Sequence, residues 1–64
     1  MIMAKVMDLN DIYMNADKAG ENRASYLERT LNEILREIQP VTVYAVVLEI
    51  RENFLIIIYE STRT

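Results

Sequence analysis

A chain of 64 residues with no cysteine, no histidine and a formal charge of −3 excludes several classes of protein at the outset. Disulfide scaffolds, thiolate or imidazole metal sites and histidine general bases lack their parts, and a weakly acidic balance lacks the positive face on which direct nucleic-acid binding runs. At 52% hydrophobic and 27% charged residues the composition is globular, but one domain this short buries a small share of its surface, so a partner subunit is the expected support.

The first element is a short strand over residues 2–9, where Ile2, Ala4 and Val6 alternate with Met3, Lys5 and Met7. Residues 10–20 admit two readings. Asn10, Asp11 and Asn15 suit a loop. Leu9, Ile12, Tyr13, Ala16 and Ala19 also share one helical face, which allows a helix over Leu9 to Lys18, capped by Asp8 and stopped at Gly20.

Residues 21–38 predict the main helix. Leu27, Leu31, Ile34, Leu35 and Ile38 form one apolar stripe, extended backwards by Ala24, while Glu28, Arg29, Asn32, Glu33, Arg36 and Glu37 occupy the opposite face. Arg29 can pair with Glu33, and Glu33 with Arg36, across one turn. Either Ser25, in a capping box with Glu28, or Asn22 can cap the start. Pro40 ends the helix and takes Gln39 out of helical geometry.

Two strands follow, residues 41–50 and 54–60, rich in β-branched and aromatic side chains. Arg51, Glu52 and Asn53 form the predicted turn between them, with Asn53 suited to left-handed backbone. The polar tail from Ser61 to Thr64 is expected to fray.

Side chains alternate across a strand. A three-residue turn puts Tyr44, Val46, Leu48, Ile50, Phe54, Ile56 and Ile58 on one face of this hairpin, and Val43, Ala45, Val47, Leu55, Ile57 and Tyr59 on the other. Both faces are apolar, whereas a sheet with one wet face alternates apolar and polar residues. One amphipathic helix covers one face. Burying five large aliphatic side chains of the other is worth roughly 8–15 kcal/mol, comparable with the estimated 4–15 kcal/mol that association costs. A homo-oligomer, most simply a two-fold dimer, is therefore expected, with the Tyr44 to Ile58 set as its interface. In the alternative, a helix at Leu9 to Lys18 covers the second face within one subunit.

Candidate chemistry is sparse. Asp8, Asn10, Asp11, Asn15 and Asp17 crowd oxygen donors together, but a calcium loop begun at Asn15 finds Asp17 and Gly20 in place and Ala19 and Tyr26 where oxygen ligands belong. A solvated turn with helix caps accounts for them. Glu33 and Glu37 lie on an exposed helix face, without the pocket that would separate the pKa values of an acid/base pair. Ser25 has no histidine to activate it, and Gly20, the sole glycine, makes no phosphate loop. Tyr44, Phe54 and Tyr59 could stack bases, as on sheet-based RNA binders, but Glu49, Glu52 and Glu60 surround the one nearby cation, Arg51. No catalytic, cofactor or metal residue is assigned.

The order strand, helix, strand, strand resembles dodecins, small flavin-binding proteins. It also looks like the layout of small proteins of unassigned role in sporulating bacteria and their phages. Lys5-Val6, the helix around Leu27 to Leu35 and the aliphatic hairpin carry the likeness. Dodecins sandwich flavin with a tryptophan, and this chain has none, so no functional residue carries over.

The expected fold is a single α+β domain of β-α-β-β order. Its three-stranded sheet has a C-terminal hairpin, and its first strand lies parallel to one hairpin strand through a right-handed crossover. The expected function is that of a small non-enzymatic interaction or adaptor protein, working as a homo-oligomer and offering a surface, the acidic helix face, to a partner protein. Two alternatives stand beside it: a small-molecule binder with an apolar pocket between subunits, lined by Tyr44, Phe54 or Tyr59, and an acidic inhibitor that mimics nucleic acid. The chain shows neither a signal-peptide pattern nor an apolar run of the ~18 residues a membrane span needs, so a cytoplasmic protein with no membrane partner is expected.

Overall fold

The computed structural model describes residues 1–62. Among them the chain runs β1 (Ile2–Asp8), α1 (Leu9–Lys18), α2 (Arg23–Ile38), β2 (Thr42–Glu49) and β3 (Phe54–Glu60). This is a small α+β fold with a three-stranded antiparallel sheet and two helices.

Asp8 is where the first strand turns into α1. Its backbone is extended, and its Oδ1 accepts the Asn10 N–H at 2.8 Å, a side-chain cap for one of the helix's orphan donors. The stop is equally local. Gly20 has φ +68, its N–H donates to the Asp17 carbonyl (3.1 Å), and the Glu21 N–H donates to Ala16 (3.0 Å). That pair of bonds around a left-handed residue is the Schellman ending, which glycine adopts without steric cost. The helical alternative for residues 10–20 is thus the one formed.

In α2 the cap is Asn22, whose Oδ1 accepts the N–H groups of Ala24 (2.9 Å) and Ser25 (3.2 Å); Ser25 lies inside the first turn. Pro40 ends the helix as expected, with Gln39 left-handed at φ 43 and its N–H still donating to the Leu35 carbonyl. Arg29 pairs with Glu21 at 3.0 Å rather than with Glu33.

The sheet order is β1-β3-β2, and both neighbours run antiparallel to β3. β1 therefore runs parallel to the hairpin strand β2, as expected, but β3 lies between them, so the strand it bonds to is antiparallel. The central place falls to Phe-Leu-Ile-Ile-Ile-Tyr, the most continuously apolar strand of the chain, because a central strand has neighbours on both edges to exclude water from it.

Both helices lie on the same side of the sheet. Leu9 and Ile12 of α1 pack with Leu55, and Tyr26, Leu27 and Leu31 of α2 close around them. The core of the described residues is small: Leu9, Ile12, Ala16, Leu55, Ile57 and Tyr59. The accessible surface, 4731 Å², exceeds the roughly 4,200 Å² typical for this mass. The molecule is a slab of 40 × 25 × 13 Å, as one helical layer on one sheet dictates. The polar tail reaches outside the described residues at Arg63 and Thr64; within them, Ser61 N–H donates to the Met1 carbonyl at 2.8 Å.

Candidate interaction surfaces

Register decides which side chains share a face. Cross-strand partners Met3–Tyr59–Val43, Lys5–Ile57–Val46 and Met7–Leu55–Leu48 lie on the helix side. Ala4–Ile58–Ala45 and Val6–Ile56–Val47 lie on the other, with Ile2 at one end and Phe54 at the other. Neither helix reaches this second face: the buried positions of α1 and the stripe of α2 both contact the Leu55 side. The alternative in which α1 wraps the second face within the subunit is not the one formed.

The open face is apolar across all three strands. Ile2 is 66% exposed, Val6 54%, Tyr44 57%, Val47 43% and Phe54 38%. Its carboxylates sit at its ends and are held locally. Asp8 caps α1. Glu49 accepts the N–H groups of Arg51 (3.1 Å) and Glu52 (2.6 Å). Glu60 accepts the Met1 amino group (2.7 Å) and the Tyr44 hydroxyl (3.4 Å). These ties fix the strand ends and leave the middle of the face free of charge.

The predicted interface set divides. Tyr44, Phe54, Ile56 and Ile58 do lie on the open face. Val46 and Leu48 turn to the helix side, opposite Ile57 and Leu55, and Ile50 lies in the hairpin turn. The cause is turn length. The loop spans Ile50 to Asn53, so Glu49 rather than Ile50 faces Phe54, and a one-residue slip exchanges the faces of a strand. A bulge between Val43 and Ala45 then shifts the register back, so Tyr44 and Ala45 both serve the open face. Ala4 and Val6, outside the predicted set, complete it; the alternation of the first strand was the available signal.

A second apolar surface lies on the helix side, where α2 stops short of the β2 edge. A groove of about 340 Å³ is lined by Ala24, Leu27, Leu31 and Leu35 of α2 with Val46 and Ile57 beneath, and is bordered by Glu28 and Asn32. Val46 and Leu48 beside it are about half exposed.

The charged groups form surface pairs. Arg23 grips Asp17 with two bonds, Nη2 to Oδ2 at 2.7 Å and Nε to Oδ1 at 3.1 Å, and its guanidinium lies 5.2 Å from the Tyr13 ring centre. Hydrogen bonding to Arg23 holds the Asp17 carboxyl below its ordinary value, and Asp17 in turn raises Arg23. Arg29, raised chiefly by its bond to Glu21, lies 5.0 Å from the Tyr26 ring centre. These contacts tie α1 and the α1–α2 connection to α2. Among the described residues no three acidic side chains converge as metal ligands, and no helix is long and apolar enough to cross a membrane. No family model, curated protein or solved structure matches the chain.

Proposed function

We propose that this chain is a self-associating interaction protein whose open sheet face packs against the same face of a second copy about a two-fold axis. One observation carries the proposal: Ile2, Ala4, Val6, Tyr44, Val47 and Phe54 remain exposed together on one face while the only two helices of the described residues occupy the other side. The largest contiguous apolar patch on a typical monomer, about 300–600 Å², is often functional, and exposed apolar faces are where proteins associate. Two sheets stacked ~10 Å apart bury such faces without backbone rearrangement. Symmetry makes one patch serve both partners.

The adaptor part of this function lies elsewhere on the surface, on the outer, acidic side of α2, where Glu33 and Glu37 stand. The lack of histidine and cysteine supports a non-enzymatic role, since the common activated nucleophiles and bases are missing. It also fits a reducing, cytoplasmic setting.

Sedimentation or light scattering at low micromolar concentration tests the association. The expected particle is a multiple of 7.5 kDa. A lone 7.5 kDa species throughout the micromolar range would refute it.

A further inference from the structure

The open face alone makes a slight interface. Three strands ~4.8 Å apart and seven residues long at ~3.3 Å per residue outline roughly 300 Å² per copy, or about 600 Å² for a pair. Stable, specific interfaces bury about 1,200 Å² or more. The α2–β2 groove offers the additional apolar area. Given the self-association proposed above, we propose that the outer edge of β2 pairs antiparallel with β2 of another copy, bringing two α2 flanks together over the groove.

The occupant is a second copy of this chain for three reasons. β2 is a terminal strand of the sheet, so one row of its backbone N–H and C=O groups lacks a strand partner. Such edges are commonly guarded by lysine or proline, and Thr42–Glu49 contains neither. Its one bulge lies at Tyr44, leaving Ala45 to Glu49 regular. The side chains flanking that edge on the helix side, Val46 and Leu48, are apolar and half exposed beside the apolar groove. A partner strand extends the sheet, and the partner's α2 covers them.

The third reason is charge. Glu28 and Arg36 stand four residues either side of Asn32 on α2, and Glu28 and Asn32 border the groove. Neither Glu28 nor Arg36 makes an ion pair among the described residues. Two antiparallel copies of α2 related by a dyad at Asn32 set Glu28 of each against Arg36 of the other. With the open face also paired, the assembly closes as a four-copy particle with two kinds of interface.

Mass measurement with paired variants tests this, with circular dichroism reporting the fold. The wild type is expected as a tetramer of about 30 kDa, four times 7.5 kDa. Val46→Lys, in the groove, and Val6→Lys, on the open face, should each halve that mass. Glu28→Arg should weaken the groove interface at least tenfold, and Glu28→Arg combined with Arg36→Glu should restore it; these surface changes remain decisive if Val46→Lys unfolds. An assembly that loses mass with Val6→Lys but ignores Val46→Lys and Glu28→Arg overturns the groove pairing and leaves the open-face pairing standing. A wild-type monomer overturns both.

Discussion

One strand, β3, presents two faces of nearly the same chemistry with opposite fates. Leu55, Ile57 and Tyr59 are buried under the helices, with Leu55 and Ile57 fully excluded from solvent. Phe54, Ile56 and Ile58 point the other way, and their neighbours Val6 and Val47 lie half exposed. The hydrophobic gain per unit area is the same on both. What differs is supply, because the described residues form one helical layer and it lies on one side. The covered face defines the folded subunit. The open face keeps its apolar side chains in solvent, and under the proposed association it is the face that supplies the interaction energy.

Changes on the two faces should therefore behave differently. Leu55→Ala removes a fully buried side chain from a very small core and is expected to cost about 2–5 kcal/mol, measured by urea or thermal unfolding. Such a loss is a large part of the total stability of a small domain. Val6→Lys on the open face should leave the helical signal in circular dichroism intact. It removes about 1.5 kcal/mol of burial per copy, twice over in a symmetric interface. That weakens association by roughly a hundredfold, at 1.4 kcal/mol per factor of ten, as read from a dilution series. If Val6→Lys instead unfolds the chain as Leu55→Ala does, folding and association are a single event and the contrast between the faces disappears.

Smaller effects sharpen the covered side. Gly20→Ala keeps every contact, since nothing lies within 4 Å of the added methyl group, yet places a side chain at φ +68. A cost of about 1 kcal/mol is expected from backbone strain alone, against about 1 kcal/mol for loss of the α2 cap in Asn22→Ala; thermal melts compare the two.

The least effect belongs to the Asp17–Arg23 pair. Because the Asp17 carboxyl titrates below its ordinary 3.8 when folded, its contribution is present above the unfolded value. It is lost as pH falls through the lowered one. Asp17→Asn should therefore flatten the acid limb of a stability-against-pH curve slightly, and salt should diminish the difference, since both groups are exposed.

Much of the fold was written in short-range patterns. The α2 stripe, the Asp8 cap, the Gly20 stop and the Pro40 termination each depend on residues within one turn of one another, and each formed as its local chemistry directs. Between helix and loop for residues 10–20, capping at both ends decided the matter, together with the burial of Leu9, Ile12 and Ala16.

What was not legible depended on partners distant in sequence. β1 joins the edge of β3, a choice no local period encodes. Facing in the hairpin hung on one extra turn residue, Ile50, enough to move Val46 and Leu48 across the sheet, and on a bulge at Tyr44 that returned the register beyond it. Periodicity declared both faces greasy; it held no information on which one the helices would take. Arg29 likewise found Glu21, eight residues away, over the nearer Glu33.

Among the described residues the central strand is also the last of the five elements in chain order. β1 and β2 share no hydrogen bonds and meet only through β3, while the Leu9 N–H anchors the β1–α1 corner to the Asn53 carbonyl at 2.8 Å, just ahead of that strand. A nascent chain leaving the ribosome can thus form its helices early, but has no sheet at all until residues 54–60 emerge. Folding then waits on the longest-range contacts in the molecule, and a newly made copy first shows its greasy surface to its neighbours at the moment synthesis reaches that strand.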